Sequence, residues 1–463
     1  MSNLRRVPLL VVLAILLAAT GFATTLRHPT NPSELPNGLS ISINAESTAL
    51  YCTGLSSALP GRISFFNTAS ASRTLSVSVV SNLGTTWSGT VELAAHAGQI
   101  VQPRLVDAPA THRTKSGHVS TVTTSYGVAV QISGGGVVGD EIQGNASVPC
   151  SSQGVTRWYA TGFNTLVGSD TSLSLYNPTG TEAVLNVSIF GANGFSAPED
   201  LQGISVPAHA QEEIDLGHDV VNTANVGVGV KVVRGSLAIV GVQDSLGTTS
   251  FDEGVNVPEV QSWFPAVTTA NDATAEIRLA NPNNHIANVS VDVSLGNFKI
   301  VPQTVTLAPF TTGLVTITPN PAIPVAGYAS LSLHSNVPVV AGLATGEDNW
   351  IALSSPQAPS QAYVVRDFTG LGFDRASVTN TSSRSVTLHV TTFGATSQSK
   401  DVTTHGITLA GGTTTSLATL ISTPLTRPAE TYLVTSSRPS AIVTLTLPSR
   451  PRGLYVIAPL DGR

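Results

Sequence analysis

Charge is scarce in this 463-residue chain. Asp, Glu, Lys and Arg together make up 11% of it, against roughly 25% in an ordinary globular protein. The only lysines are Lys115, Lys231, Lys299 and Lys400. So few cations cannot build a basic stripe, which argues against nucleic acid as a partner. The net charge of -6 is mild for this length. Beyond the N-terminus no stretch keeps a helical period. P-loop, nucleophile-elbow and H-E-x-x-H motifs are all missing. Ser, Thr, Gly and Val fill the space left by charge. With 41% hydrophobic residues and recurring β-type runs, disorder is excluded.

The N-terminus reads MSNLRRVPLLVVLAILLAATGFATTLRH. Arg5 and Arg6 precede an uncharged, mostly apolar run from Val7 to Ala23, the layout of an export signal. Gly21-Phe22-Ala23 offers a small-x-small cleavage site. Pro8 and the length of the run also suit an uncleaved membrane anchor. Residues 1–28 are therefore expected to be a signal peptide or signal-anchor helix, with the remainder on the extracytoplasmic side. Cleavage would make the protein secreted. The two cysteines, Cys52 and Cys150, both fall in the exported part. An oxidising compartment favours a disulfide between them over two buried thiols.

The rest of the chain is organised by four asparagines. Around Asn177 in LSLYNP, apolar residues stand four and two positions before it (Leu173, Leu175) and eight, ten and twelve after it (Leu185, Val187, Ile189). The same offsets from Asn281 give Ile277, Leu279, Val289, Val291 and Val293. From Asn67 they give Ile63, Phe65, Leu75, Val77 and Val79, and from Asn380 they give Ala376, Val378, Leu388, Val390 and Thr392. Alternating apolar residues mark half-buried strands. The fixed register marks an internal repeat of about 100 residues. Other landmarks recur in order. An aromatic opens each copy (Tyr51, Trp158, Trp263, Tyr363). A glycine ends the second core strand (Gly84, Gly191, Gly296, Gly394). A short motif follows, reading LAAHAG, VPAHAQ, LAPFTT or LAGGTT, and a hairpin closes the copy. Each asparagine is read as turn chemistry, its side chain bonding the backbone two residues on.

Some seven short strands per hundred residues predict an all-β protein: four tandem immunoglobulin-like β-sandwich repeats over 43–150, 151–258, 259–358 and 359–463. Stacking end to end as a rod is the expected arrangement, with short connections stiffened by Pro258, Pro265 and Pro359. A single closed four-fold propeller is the runner-up.

The segments WYATG, LSLYNPTG, VSIFGANG and VPAHA resemble the exported repeats of an actinobacterial family catalogued as domain of unknown function 5719. The N-terminal span, the cysteine pair and the lysine-poor composition are similar too. The resemblance covers nearly the whole exported chain. It implies a cell-envelope protein with no assigned activity and no catalytic residues to carry over.

The remaining motifs have plain structural readings. Gly134, Gly136 and Gly139 fit G-x-G-x-x-G, but no helix is expected after them to hold a phosphate. His112 and His118 fall in a polar connection. Asn145, Asn186, Asn288 and Asn380 begin N-x-S/T triplets. Acids recur at copy edges: Asp140, Glu141, Asp244, Glu347 and Asp348 after the last strand, and Asp170, Asp272 and Asp374 before the first core strand. Gathered at a junction they would suit calcium, although Asx turns and solvated strand ends explain them as well. No catalytic, metal or cofactor site is expected. The chain reads as a non-enzymatic, membrane-anchored envelope protein that works by contact with envelope proteins or wall polymers. The alternative is an array of carbohydrate-binding modules, which requires Trp158, Trp263 and Trp350 to form a solvent-facing row.

Overall fold

The computed structural model describes residues 47–57, 61–102, 110–113, 119–122, 124–143, 146–220, 222–245, 248–267, 274–295, 298–299, 302–317, 329–346, 352–354, 362–366, 376–393, 399–401, 406–416, 431–438, 441–446 and 454–455. The signal or anchor helix expected over residues 1–28 lies outside these. Among the described residues the protein is all-β. The short 3-10 turn Glu199–Leu201 is helical, and among the described residues no helix is long and apolar enough to cross a membrane.

In copies one to three, strands on either side of a shared buried cluster carry the sequence pattern. In copy two, one sheet carries the opening strand Arg157–Phe163, then Val226–Arg234, then the second core strand Ala183–Gly191. The other orders Gln211–Asp215, the first core strand Ser169–Tyr176, Ala238–Ser245 and the closing strand Thr248–Asp252. Trp158, Leu173, Leu175, Leu185, Val187, Ile189, Val228 and Val230 from both sheets meet in one buried cluster. The corresponding cluster of copy three contains Ile277, Leu279, Val289, Val291 and Val293, and that of copy one contains Ile63, Phe65, Leu75, Val77 and Val79. In copy four Val378, Leu388 and Val390 are buried. Alternation puts every second side chain on one face, so five offsets from one asparagine were enough to place these cores. Copy three differs in using one long strand, Ala329–Gly346, for both sheets. Its first half pairs with Ala287–Leu295 and its second half with Thr274–Ala280.

The asparagines do more than turn the chain. All four are fully buried. Each Oδ1 accepts the N–H two residues on, from Ala69, Thr179, Asn283 or Ser382, at 3.0–3.1 Å. Each Nδ2 also donates at 2.8 Å to the carbonyl four residues on. It donates again into the distant motif, to Ala94 at 2.9 Å, Pro207 at 3.0 Å, Ala308 at 3.0 Å and Ala410 at 3.1 Å. The asparagine and the LAAHAG-type motif are two halves of one clamp. The motif's fourth residue has positive φ in every copy: His96 at 54°, His209 at 55°, Phe310 at 58° and Gly412 at 69°.

The expected open rod is not what the contacts give. Opening strands of three copies lie against the next copy: Ala49–Ser56 on Ser169–Tyr176 and Ala238–Ser245, Arg157–Phe163 on Thr274–Ala280 and Ala329–Gly346, and Glu259–Val267 on Ala376–Asn380 and Ala441–Thr446. The closing strands meet in turn. Ala146–Pro149 lies beside Thr248–Asp252, which lies beside Ala352–Ser354, which lies beside Leu454–Tyr455. The last of these pairs in parallel with the first, Ser147 opposite Tyr455, so the sheets of copies one and four join. The outer face of copy one is covered as well, with Ser64 and Phe66 buried. The outward positions of the first core strands carry buried groups rather than a solvated polar face, and that is why the copies fold onto one another.

Candidate functional site

The junction between copies one and two concentrates the unusual chemistry. It starts from a β-bulge at Thr53-Gly54, where the register of the opening strand slips between Cys52 and Leu55. A bulge turns several N–H groups to one side. Here they meet Glu141 from the strand Val137–Gln143 of the same copy. The Thr53 N–H reaches its Oε2 at 3.0 Å, and the amides of Gly54 and Leu55 add to the effect. Burial outweighs these bonds and pushes the Glu141 carboxyl up to about 7.

Thr53 then links the bulge to copy two. Its hydroxyl donates to Gln211 Oε1 at 2.9 Å, and its carbonyl accepts from Ser174 Oγ. Gln211 Nε2 in turn reaches Ser174 Oγ at 2.7 Å. The rings of Tyr51 and Tyr176 stand 6.0 Å apart across the same contact. Burial, then Tyr51, raise the Tyr176 hydroxyl to about 12. Nearer the closing strands, Ala146 and Val148 of copy one pack with Val240, Val242 and Phe251 of copy two. At the end of that strand Glu253 keeps part of its surface in water, yet burial of its carboxyl raises it to about 8, helped by Asp252 of its own copy and Asp140 of copy one. On the outward face of copy two, Asp170 and Asp244 sit directly opposite each other in the ladder.

The acids singled out as possible calcium ligands thus fall partly together. Asp140, Glu141, Asp170 and Asp244 do lie around one junction. Among the described residues, however, no three His, Cys, Asp or Glu side chains have the geometry to hold a metal ion. Asp272, Asp374, Glu347 and Asp348 lie outside the described residues. Glu253, missed by the sequence reading, could have been found as the acid just past a closing strand.

Cys52 and Cys150 are bonded, with Cα atoms 4.5 Å apart, and tie the opening strand of copy one to the end of its closing strand. The aromatic row required by the carbohydrate reading does not form. Trp158 is 2% exposed and belongs to the core of copy two. Its indole N–H is spent on the carbonyl of Glu253 at 2.6 Å. Trp263 is half-buried, and Trp350 lies outside the described residues. For Trp158 the correction has a simple cause: it sits on the core-facing side of a strand covered by a second sheet. Gly134 and Gly136 have φ of 82° and 91° at a hairpin tip between Ser125–Ile132 and Val137–Gln143. A strand follows them, so the phosphate reading has no helix to rest on. His112 lies on the short hairpin Ala110–Arg113 with Val119–Val122, and His118 lies outside the described residues.

Among curated proteins nothing matches. Two solved structures are similar at low level. One is a crystal structure of Thermotoga maritima 1070, with 16% identity and a TM-score of 0.19, covering 22% of this chain and 94% of that one. The other is a tetra-tandem repeat from the extending region of a large adhesion protein, with 9% identity and a TM-score of 0.12, covering 88% of this chain and 96% of that one. The decisive match spans the Asn clamps of copies two to four: over residues 120–420 the chain belongs to a family of unknown function, DUF5719.

Proposed function

We propose that the protein is an exported, non-enzymatic component of the cell envelope, held at the membrane by its N-terminal segment and acting by contact. In this reading its four copies are immunoglobulin-like sandwiches. The observation that carries the proposal is the Cys52–Cys150 disulfide, because structural disulfides form and persist in oxidising compartments. The Arg5-Arg6 pair ahead of the apolar run Val7–Ala23 supports the same location. Contact rather than turnover is supported by what the buried polar groups do. The four asparagines and the Thr53–Ser174–Gln211 network are consumed by the fold and the junctions. Partners would be envelope proteins or wall polymers meeting the Ser/Thr-rich surface.

The test is localisation with redox state in intact cells. External protease should degrade the chain, the membrane fraction should retain it, and Cys52 and Cys150 should resist alkylation until reduced. An intracellular chain with two alkylatable thiols would overturn the location. Hydrolysis or transfer on envelope glycans or peptides by the pure protein, abolished by one substitution, would overturn the non-enzymatic role.

A further inference from the structure

Two buried carboxyls flank one junction from opposite sides. Glu141 belongs to copy one and holds the bulge whose Thr53 contacts copy two. Glu253 belongs to copy two and follows the closing strand that packs on copy one. The groups facing them are short of positive charge. Glu141 meets the N–H groups of Thr53, Gly54 and Leu55. The Phe251 ring of copy two and the Glu141 carboxylate both crowd Gly54, each within 3.3 Å of where a Cβ would stand. Glu253 faces Asp252 of its own copy and Asp140 of the neighbour. Along the same contact, Glu213 bonds Ser172 of its own copy and Ser125 of copy one, and feels Asp170 and Asp244; Asp244 bonds Thr249, and Asp170 feels Asp215. Glu213 and Asp170 are exposed, so solvent screens their repulsion and they count for less. Among the described residues Glu141, Glu213, Asp244 and Glu253 make no ion pair.

We propose that the contact between copies one and two is proton-dependent, tight in mild acid and loosened as the pH rises, while the contact between copies two and three is indifferent to pH. The closed junction dries both carboxyls and sets Glu253 beside Asp140. Opening it gives each carboxylate water and separates the like charges. Closed protein therefore binds protons more tightly than open protein, and linkage makes protons favour closure. The window follows from the two groups. The preference is full near the ordinary glutamate range of 4.5 and is lost as the pH passes through about 7 for Glu141 and about 8 for Glu253. The second junction supplies the control. Its side-chain contacts include Phe190, Ala280 and Val340 with Tyr159, Val255 and Phe310, and an Arg278 guanidinium paired with Glu276 of its own copy.

Hydrogen exchange of the disulfide-bonded chain 43–463 at pH 5.5, 7 and 8.5, corrected for intrinsic rates, tests this. Protection of Ala49–Ser56 should fall at least about tenfold across the range, while Thr274–Ala280 should keep its protection. Glu253→Gln and Glu141→Gln should each flatten the response of the first junction, and either one alone suffices if the other fails to fold. Equal loss at both junctions would overturn the proposal. So would an unaltered pH response in the folded variants.

Discussion

The junction between copies one and two and the junction between copies two and three are built on the same backbone plan. In both, a bulged opening strand lies on the next copy's first core strand, and the residue three before the clamp asparagine reaches back to the bulge. In copy two that residue is Ser174, bonded to the Thr53 carbonyl. In copy three it is Arg278, whose Nη1 reaches the Gly162 carbonyl at 2.5 Å while its other nitrogens hold Glu276. The residue before the asparagine is Tyr176 in one case and Ala280 in the other. Around the first junction stand Asp140, Glu141, Asp252 and Glu253. Around the second stand Phe190, Val340 and Phe310. The spacing between copies is thus set by main chain and clamp, while the outward side chains decide what each contact responds to.

Removing what the junctions share should have the largest effect. Asn177→Asp keeps the Oδ1 acceptor of the turn and removes the donor to Thr181, Val206 and Pro207. Three carbonyls, that of Val206 buried and those of Thr181 and Pro207 part-buried, would then face a carboxylate. Chemical denaturation should show a loss on the order of 3 kcal/mol or more, since each buried unsatisfied group costs ~1–3 kcal/mol. A loss as small as that of an ordinary surface substitution would reduce the residue to the Asx turn read from the sequence.

Two matched glycines sharpen the comparison. Gly127 and Gly227 occupy the same place in copies one and two. An added Cβ at Gly127 would stand 2.4 Å from the Tyr176 ring and 2.6 Å from Gln211, and one at Gly227 would stand 2.8 Å from the Ala280 methyl. Gly127→Ala and Gly227→Ala should each cost roughly 1–3 kcal/mol by overpacking. Each should raise exchange at its own junction only. Combined, they should be close to additive, because they act on separate contacts.

The pH profile of stability is next in size. A carboxyl raised in the folded state makes the fold bind more protons than the unfolded chain, so stability declines as pH rises from about 5 to 8.5. Thermal scans should show this decline, and Glu253→Gln should reduce it. A flat profile would mean that Glu141 and Glu253 stay ionised and accommodated. The smallest effect is at His209, whose φ of 55° is left-handed. His209→Gly should change stability by no more than about 1 kcal/mol, relief of the backbone being offset by unfolded-state entropy.

The core was legible in the sequence because strand alternation is strict. Leu173, Leu175, Leu185, Val187 and Ile189 are all buried as their offsets from Asn177 require. The disulfide was legible from compartment and position. The clamp was half legible: the turn followed from asparagine chemistry, but a bond across 30 residues to Pro207 has no local signature, although VPAHA recurs with it. The junctions were not legible. Ser174 and Tyr176 occupy the alternate, outward positions, where the same pattern suits water or a neighbouring sheet. Trp158 misled because an aromatic opening a strand can stack on a ligand or fill a core, and only the second sheet decides.

Small-angle scattering of residues 43–463 tests the central claim, that neighbouring copies pack on one another and the last described strand returns to the closing strand of copy one. Packed copies should give a radius of gyration near that of a compact chain of this length, about 22 Å. A value roughly twice as large, with the distance distribution of a rod, would contradict the junctions and the pairing of Ser147 with Tyr455.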